Sequence, residues 1–335
     1  MYSVAPGVHR IPLSLPDDGL RAVNTYVIDD GPGITLVDPG QYGPLAREEL
    51  AAGLALLGRT FADVRRCLTT HVHRDHYTNA VALRREFGCP VSLGVGERAS
   101  LRAVRVSDTY GIDPQLRALP LCGAGFLVAE LDPNTAGHGL PKDIWEDPDE
   151  WLSDGDSVRL ESRTLRVMRT PGHTSGHVTY HDVSAGLLFS GDHVLPRITP
   201  SIGFEPAATD LPLASFLDSL ARTAAAPDAA LVAAHGPVTA SVRERVAELQ
   251  AHHQRRLELT GDEVRGGARS VYEVAGGLGW TRRLHPLETL DPFNRMLAVM
   301  ETKAHLDVLV RDGVVERDLA GGVFVYSPRI VEHEG

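Results

Sequence analysis

The chain has 335 residues, 43% hydrophobic and 23% charged, enough apolar material for one large domain with a smaller one beside it. A formal net charge of −11 argues against a nucleic-acid binder, which normally presents a basic face. The start lacks the charged and apolar blocks of a signal peptide, no stretch is long and apolar enough to span a bilayer, and three irregularly spaced cysteines (Cys67, Cys89, Cys122) suit reduced thiols in a cytoplasmic protein.

Residues 7–40 read as three strands, with turns at 16–19 and 29–32, the last strand ending in Asp38. Pro44 opens a helix that carries Leu50, Leu54 and Leu57 on one face and stops at Gly58. A strand over 64–70 leads into His71, Val72, His73, Arg74, Asp75 and His76, and a helix over 78–87 follows, closed by Gly88. A short strand near Val91 precedes a mostly helical or irregular insert, residues 97–150. Within it Arg98, Arg102 and Arg105 recur at i, i+4 and i+7, a basic stripe that would suit the anionic part of a substrate or simply form a solvated helix face. Strand hairpins return at 156–170 and 178–191, then a helix at 212–225 and a strand at 230–234 that delivers His235. This order predicts an α/β fold, a four-layer αββα sandwich over residues 1–250.

Residues 251–335 read as a separate small module. A long helix enters it from a capping pattern at Ser241 and Glu244, a second such pattern stands at Ser270 and Glu273, and Asp291 and Pro292 open a further helix. Gly313 stops that helix and 314–326 reads as a hairpin, so the tail is winged-helix-like. It carries 11 basic and 13 acidic residues, no basic surplus for DNA, which leaves packing, homodimerisation or closure of a pocket as its roles.

The chemistry concentrates in residues 71–76. Three imidazoles and a carboxylate in six positions make a poor core but a natural ligand set for borderline metal ions such as zinc, with His71 and His73 facing one ion and Asp75 and His76 the next. They sit at the carboxyl end of a strand, where α/β proteins place their sites. Three more clusters follow in order: PGHTSGH from Pro171 to His177, then Asp192 with His193, then His235 before Gly236 and Pro237.

Together these motifs resemble the metallo-β-lactamase superfamily over nearly the whole chain. The resemblance implies His71, His73 and His173 on one metal, Asp75, His76 and His235 on another, Asp192 bridging both, and Asp38 orienting the ligand loop from behind. It implies two zinc ions per chain, with iron or manganese an alternative at one position, and hydrolysis by a metal-bridging hydroxide that the catalytic pair Asp75 and Asp192 keeps aimed. Among nearby residues, His177 would hydrogen-bond within the site or start a strand, His193 would point into the pocket, and Tyr77 would narrow the pocket, bond the substrate or pack its helix. His9, His181, His252, His253, His285, His305 and His333 carry no functional expectation. The expected substrate is a small acyl ester or thioester, with no nucleic-acid or membrane partner. Alternatives are a lactonase, a single-strand endoribonuclease like the lactamase-like branch that shares the tail type, and a metal-binding regulator.

Overall fold

A computed structural model describes residues 1–16, 19–109, 111–131, 140–207 and 209–329. The predicted turn at 16–19 and His333 fall partly or wholly outside those residues. Two sheets form the centre. The first has seven strands in chain order: β1 (Tyr2–Ala5), β2 (Val8–Leu15), β3 (Arg21–Asp30), β4 (Gly33–Val37), β5 (Val64–Leu68), β6 (Val91–Gly94) and β7 (Glu150–Leu152). The second runs β12 (Ala230–Ala233), β11 (Leu187–Gly191), β10 (Val178–Asp182), β9 (Thr164–Arg169) and β8 (Ser157–Arg159).

Period-two alternation on strands buried on both sides builds the layers. In β3, Tyr26 and Ile28 face the second sheet, packing with Val178, Tyr180 and Phe189, while Val23 and Val27 face the helices. Those helices are α1 (Pro44–Ala55), α2 (Arg74–Phe87) and α3 (Arg98–Val106), whose apolar faces bring Leu50, Leu54, Val81, Leu83 and Leu101 onto the first sheet. On the far side, α6 (Pro212–Ala225) and the first half of α7 (Val242–Arg265) lay Phe216, Leu220, Val246 and Leu249 on the second sheet. The result is the expected αββα sandwich. Among the described residues no helix is long and apolar enough to cross a membrane.

Three local expectations change. Strand β1 precedes the first predicted strand, and β7 adds an edge to the first sheet through parallel pairing with β6. Helix α2 begins at Arg74, not at 78, so Asp75 and His76 lie in its first turn instead of a loop; an acid there is favoured by the helix dipole.

The insert contributes α4 (Asp113–Leu121) and α5 (Leu127–Glu130) beyond α3. The tail contributes α8 (Val271–Gly277), α9 (Pro292–Arg311) and the hairpin β13 (Val315–Ala320) and β14 (Val323–Pro328). Ser241, Ser270 and Asp291 cap their helices as the patterns foretell. Helix α7 runs unbroken through position 250, where a division was expected: Val246 and Leu249 pack on the second sheet, while Val264 joins the tail. Leu119, Cys122, Ala124 and Leu127 of the insert share that tail core with Val271, Val299 and Tyr326. Insert and tail therefore pack as one body.

Where the two sheets meet beside the site, backbones touch. Cβ atoms on Gly94 and Gly176 would fall on Gly176 O and on the Glu97 amide nitrogen respectively, so only glycine fits. Gly176→Ala is expected to destabilise the protein by about 1–3 kcal/mol or more, read as a lower denaturant midpoint. Glu97, buried beside this contact, accepts from Thr174 Oγ1, and burial followed by the nearby Glu205 pushes its carboxyl up to about 8. Folding therefore favours the protonated acid, and that contribution is lost as pH rises from the ordinary carboxyl range through about 8. Thermal unfolding of Glu97→Gln should show a gain over the parent from pH 6 to pH 8 worth roughly 2–3 kcal/mol; an equal offset at both pH values would contradict the assignment.

Candidate metal centre

Strand β5 ends at Leu68, and the buried Thr69 and Thr70 carry the chain to His71 and His73, which precede α2. His173 comes from the loop between β9 and β10, Asp192 from the end of β11, and His235 from the end of β12. All the sequence-predicted ligands thus meet at the carboxyl ends of β5, β11 and β12 and in the first turn of α2. Three sets of ligand atoms lie within 4.8 Å of one another: His71, His73 and His173; His71, His76 and Asp192; Asp75, His76 and His235.

Asp192 sits between the outer sets. Its Oδ2 is 3.6 Å from His173 Nε2, and its Oδ1 is 3.4 Å from His235 Nε2 and 3.8 Å from His76 Nε2. Asp75 Oδ2 is 3.4 Å from both His76 Nε2 and His235 Nε2. His173 Nε2 and His73 Nδ1 are 3.0 Å apart. Separations of this order match the edge of a coordination sphere with metal–nitrogen bonds near ~2.1 Å.

Four of the five imidazoles have their outward nitrogen held, while His73 Nε2 is buried without a partner. His71 Nδ1 meets Thr70 Oγ1 at 3.1 Å, and His76 Nδ1 meets Asp38 Oδ2 at 3.0 Å. His173 Nδ1 donates to Ser201 O at 2.8 Å and His235 Nδ1 to Ala22 O at 2.7 Å. Donation to a carbonyl fixes the tautomer and leaves Nε2 with its lone pair turned inward. Buried and without a hydrogen-bond partner are His71 Nε2, His76 Nε2, His235 Nε2, Asp75 Oδ2 and Asp192 Oδ1. Buried ligand atoms brought together without protein partners fit metal cations.

The electrostatics divide the cluster. Burial, with neighbouring imidazoles, pushes His71 well down, His73 down to about 3 and His173 down, which keeps three neutral lone pairs together. In the other half burial is outweighed by charge. Asp75, Asp38 and Asp192 hold His76 well above its usual value, and Asp192 and Asp75 raise His235 to about 10. Against the burial that would raise them, His76 and His235 hold Asp75 and Asp192 below the usual carboxylate range.

Of the flanking residues His177 stands as expected, Tyr77 packs its helix, and His193 departs from expectation. His177 is within the site as a support: Nε2 accepts from the Asp192 amide at 3.1 Å, and Nδ1 lies 2.8 Å from Thr170 Oγ1. Tyr77 is fully buried in the helix–sheet core and donates to Glu146 O at 2.7 Å, so it neither narrows a pocket nor meets a substrate. His193 is buried against Phe216, with Nε2 2.9 Å from Thr223 Oγ1, and points away from the cluster. Of the arginine stripe, Arg98 lies over the Trp151 ring, and Arg105 donates to Trp145 O and pairs with Asp147 at 2.6 Å; Arg102 is exposed. Arg98 and Arg105 thus anchor α3 to 145–151.

Two residues outside every motif support the site. Glu205 accepts from Ser100 Oγ at 2.9 Å and from the Ser175 amide at 2.8 Å, tying α3 to the loop of His173. Gln115 Nε2 donates to Gly203 O and Glu205 O at 3.0 and 3.1 Å, fixing the segment whose Ser201 O orients His173. They lie ninety positions apart in ordinary sequence, and no spacing signals them.

Comparison with known proteins agrees with this geometry. The model of the metallo-beta-lactamase superfamily matches residues 18–251. A hydroxyacylglutathione hydrolase of Rhizobium johnstonii is 27% identical over 283 residues, 83% of this chain and 91% of the relative. An uncharacterized protein of Mycobacterium bovis is 30% identical over 192 residues, covering 53% of this chain and 71% of its own. Among solved structures, a metallo-beta-lactamase family protein from Thermus thermophilus superposes with a TM-score of 0.79 at 29% identity, covering 98% of this chain and 100% of the other. The chain belongs to the metallo-beta-lactamase superfamily, a superfamily of metal-dependent hydrolases.

Proposed function

We propose that the protein is a dinuclear zinc hydrolase of a small acyl ester or thioester. The observation that carries this reading is the pair of oxygens of Asp192, one toward His173 and the other toward His76 and His235, which gives one carboxylate to two ligand sets. Bound cations supply Lewis acidity, which lowers the pKa of water and polarises an acyl oxygen. The protein's part is orientation. Asp75 and Asp192 offer acceptor oxygens toward the centre, and their carboxyls are held too acidic to keep a proton well at neutral pH. Tyr77 and His193, the flanking residues with a proton to give, face away from the ligands. A leaving group that departs without a proton therefore suits the site, and a thiolate does so better than an amine. The Rhizobium johnstonii relative, named for hydrolysis of a glutathione acyl thioester, supports the same class. The net charge of −11 and the balanced tail favour a small substrate over RNA.

Elemental analysis should find two zinc equivalents per chain. Asp192→Ala is expected to lose both and His173→Ala chiefly one, while Asp38→Asn should weaken metal affinity roughly 10–100-fold through His76 and Thr70. Activity of the zinc-loaded protein should appear on acyl thioesters or esters, change only modestly with salt, and fall by more than about 100-fold in Asp75→Ala. Zinc-dependent cutting of single-stranded RNA, abolished by Asp75→Ala, would replace this reading with an endoribonuclease.

A further inference from the structure

Two of the three cysteines meet. Cys67 in β5 and Cys89, just past α2, are 22 positions apart, yet their Sγ atoms lie 3.9 Å from each other in the core between the first sheet and its helices. The backbone brings them together. Gly88 ends α2 in the left-handed conformation, with φ of 74°, and turns the chain back toward the sheet. The Cys67 amide then donates to Pro90 O at 2.9 Å, and Cys67 stands opposite Val91 where β5 and β6 pair in parallel. A disulfide places its sulfurs about 2.0 Å apart. With the backbones already neighbours, the remaining approach falls to side-chain rotation and small shifts. Cys122 lies apart, buried in the core that insert and tail share.

The two thiols are not equivalent. The hydrogen bond between them holds the Cys89 thiol below its ordinary value and, with burial, pushes Cys67 well above it. Cys67 is 0% exposed inside its strand, whereas Cys89 keeps 3% and is flanked by the exposed Gly88 and Pro90. Cys89 is therefore the sulfur that a small reagent meets first and as the better nucleophile, with Cys67 behind it to resolve the product.

We propose that Cys67 and Cys89 are an oxidation site for small hydroperoxides, and that their disulfide staples the segment that carries four of the metal ligands. The Cys89 thiolate attacks one peroxide oxygen and the O–O bond breaks, leaving a sulfenic acid on Cys89 and a hydroxide that takes up the proton Cys89 had shed. The Cys67 sulfur then attacks the Cys89 sulfur, and the sulfenic hydroxyl departs with the Cys67 proton as water. Two thiols and one hydrogen peroxide thus give one disulfide and two waters, the sulfurs being oxidised and the peroxide reduced. His71, His73, Asp75 and His76 all lie between the two cysteines in sequence, so the crosslink encloses them. It removes chain freedom from any opened state of β5, the ligand loop and α2, which makes opening rarer. The inference goes beyond the hydrolase reading and needs neither metal nor substrate.

The test treats the protein as purified, with its Cys89→Ser and Cys122→Ser variants, with a small excess of hydrogen peroxide. Trypsin cuts after Arg66, Arg74, Arg85 and Arg98, so the two cysteines fall on separate peptides, 67–74 and 86–98. Parent and Cys122→Ser should lose about 2 Da for the two hydrogens, recover them in dithiothreitol, and yield those peptides joined; Cys89→Ser should yield no such link. Hydrogen exchange supplies the second measurement, each protein being compared with itself before and after oxidation. Amides of 69–76 should exchange roughly tenfold more slowly or better in the oxidised parent and at an unchanged rate in Cys89→Ser. Thiols that stay reduced, a link through Cys122, or Cys89 carried on to a sulfinic acid with Cys67 still free overturns the site. Unchanged exchange across 69–76 once the Cys67–Cys89 link has formed overturns the staple.

Discussion

One buried carboxylate organises the site. Asp38 follows β4 in the left-handed region, with φ of 49°, a conformation that costs a non-glycine residue of order 1 kcal/mol and persists only where surroundings over-determine it. They do so here. Its amide donates to Leu68 O at 3.0 Å, and its carbonyl accepts from Thr25 Oγ1 at 2.8 Å. Its two side-chain oxygens take the Thr70 amide and hydroxyl at 2.8 and 2.9 Å and His76 Nδ1 at 3.0 Å. Asp38 thereby fixes the end of β4, the exit from β5 and the first turn of α2 with a single group. The ligand loop cannot relax without breaking several charge-assisted hydrogen bonds at once.

The ligands were legible because they cluster in short runs at strand ends, where no core packing explains them. Adjacency was a poorer guide to direction. Tyr77 follows His76 on a helix that turns 100° per residue, so the same turn that points His76 inward sends Tyr77 into the core. His193 follows Asp192 where the chain leaves β11, and its ring turns to Phe216 and Thr223. The start of α2 differs from its sequence pattern for a related reason: polar ligands look like loop, yet the first helical turn has free amides and tolerates them. The arginines of α3 do share a face, but the pattern cannot say that Trp151 and Asp147 meet it. Glu97, Gln115 and Glu205 were illegible because their meaning lies in contacts between distant segments.

Insert and tail show how the superfamily core is adapted without touching its chemistry. The ligands hang from the two sheets, whose cores are separate from the one that Leu119, Leu127, Val299 and Tyr326 share. Helix α7 connects the two by packing on the second sheet with one half and on the tail with the other. A substitution on α4 or α9 can therefore reshape the wall beside His173 while Asp38, His177 and Thr70 keep the ligand geometry. Such an arrangement keeps the ligand cluster on rigid strand ends and leaves the helical body free to vary.

The same division makes the ligand cluster a liability for folding until it is compensated. Asp38, Asp75 and Asp192 are each at most 7% exposed, and carboxylates removed from water cost several kcal/mol apiece unless opposite charge is at hand. Protons can supply part of it, which is why His76 and His235 are held so basic next to their acids. Divalent cations supply it with better geometry, since they also satisfy Nε2 atoms that no protein donor reaches. Metal binding would thus be coupled to folding through these carboxylates, and the strain at Asp38 is sustained by the ligand loop that it positions.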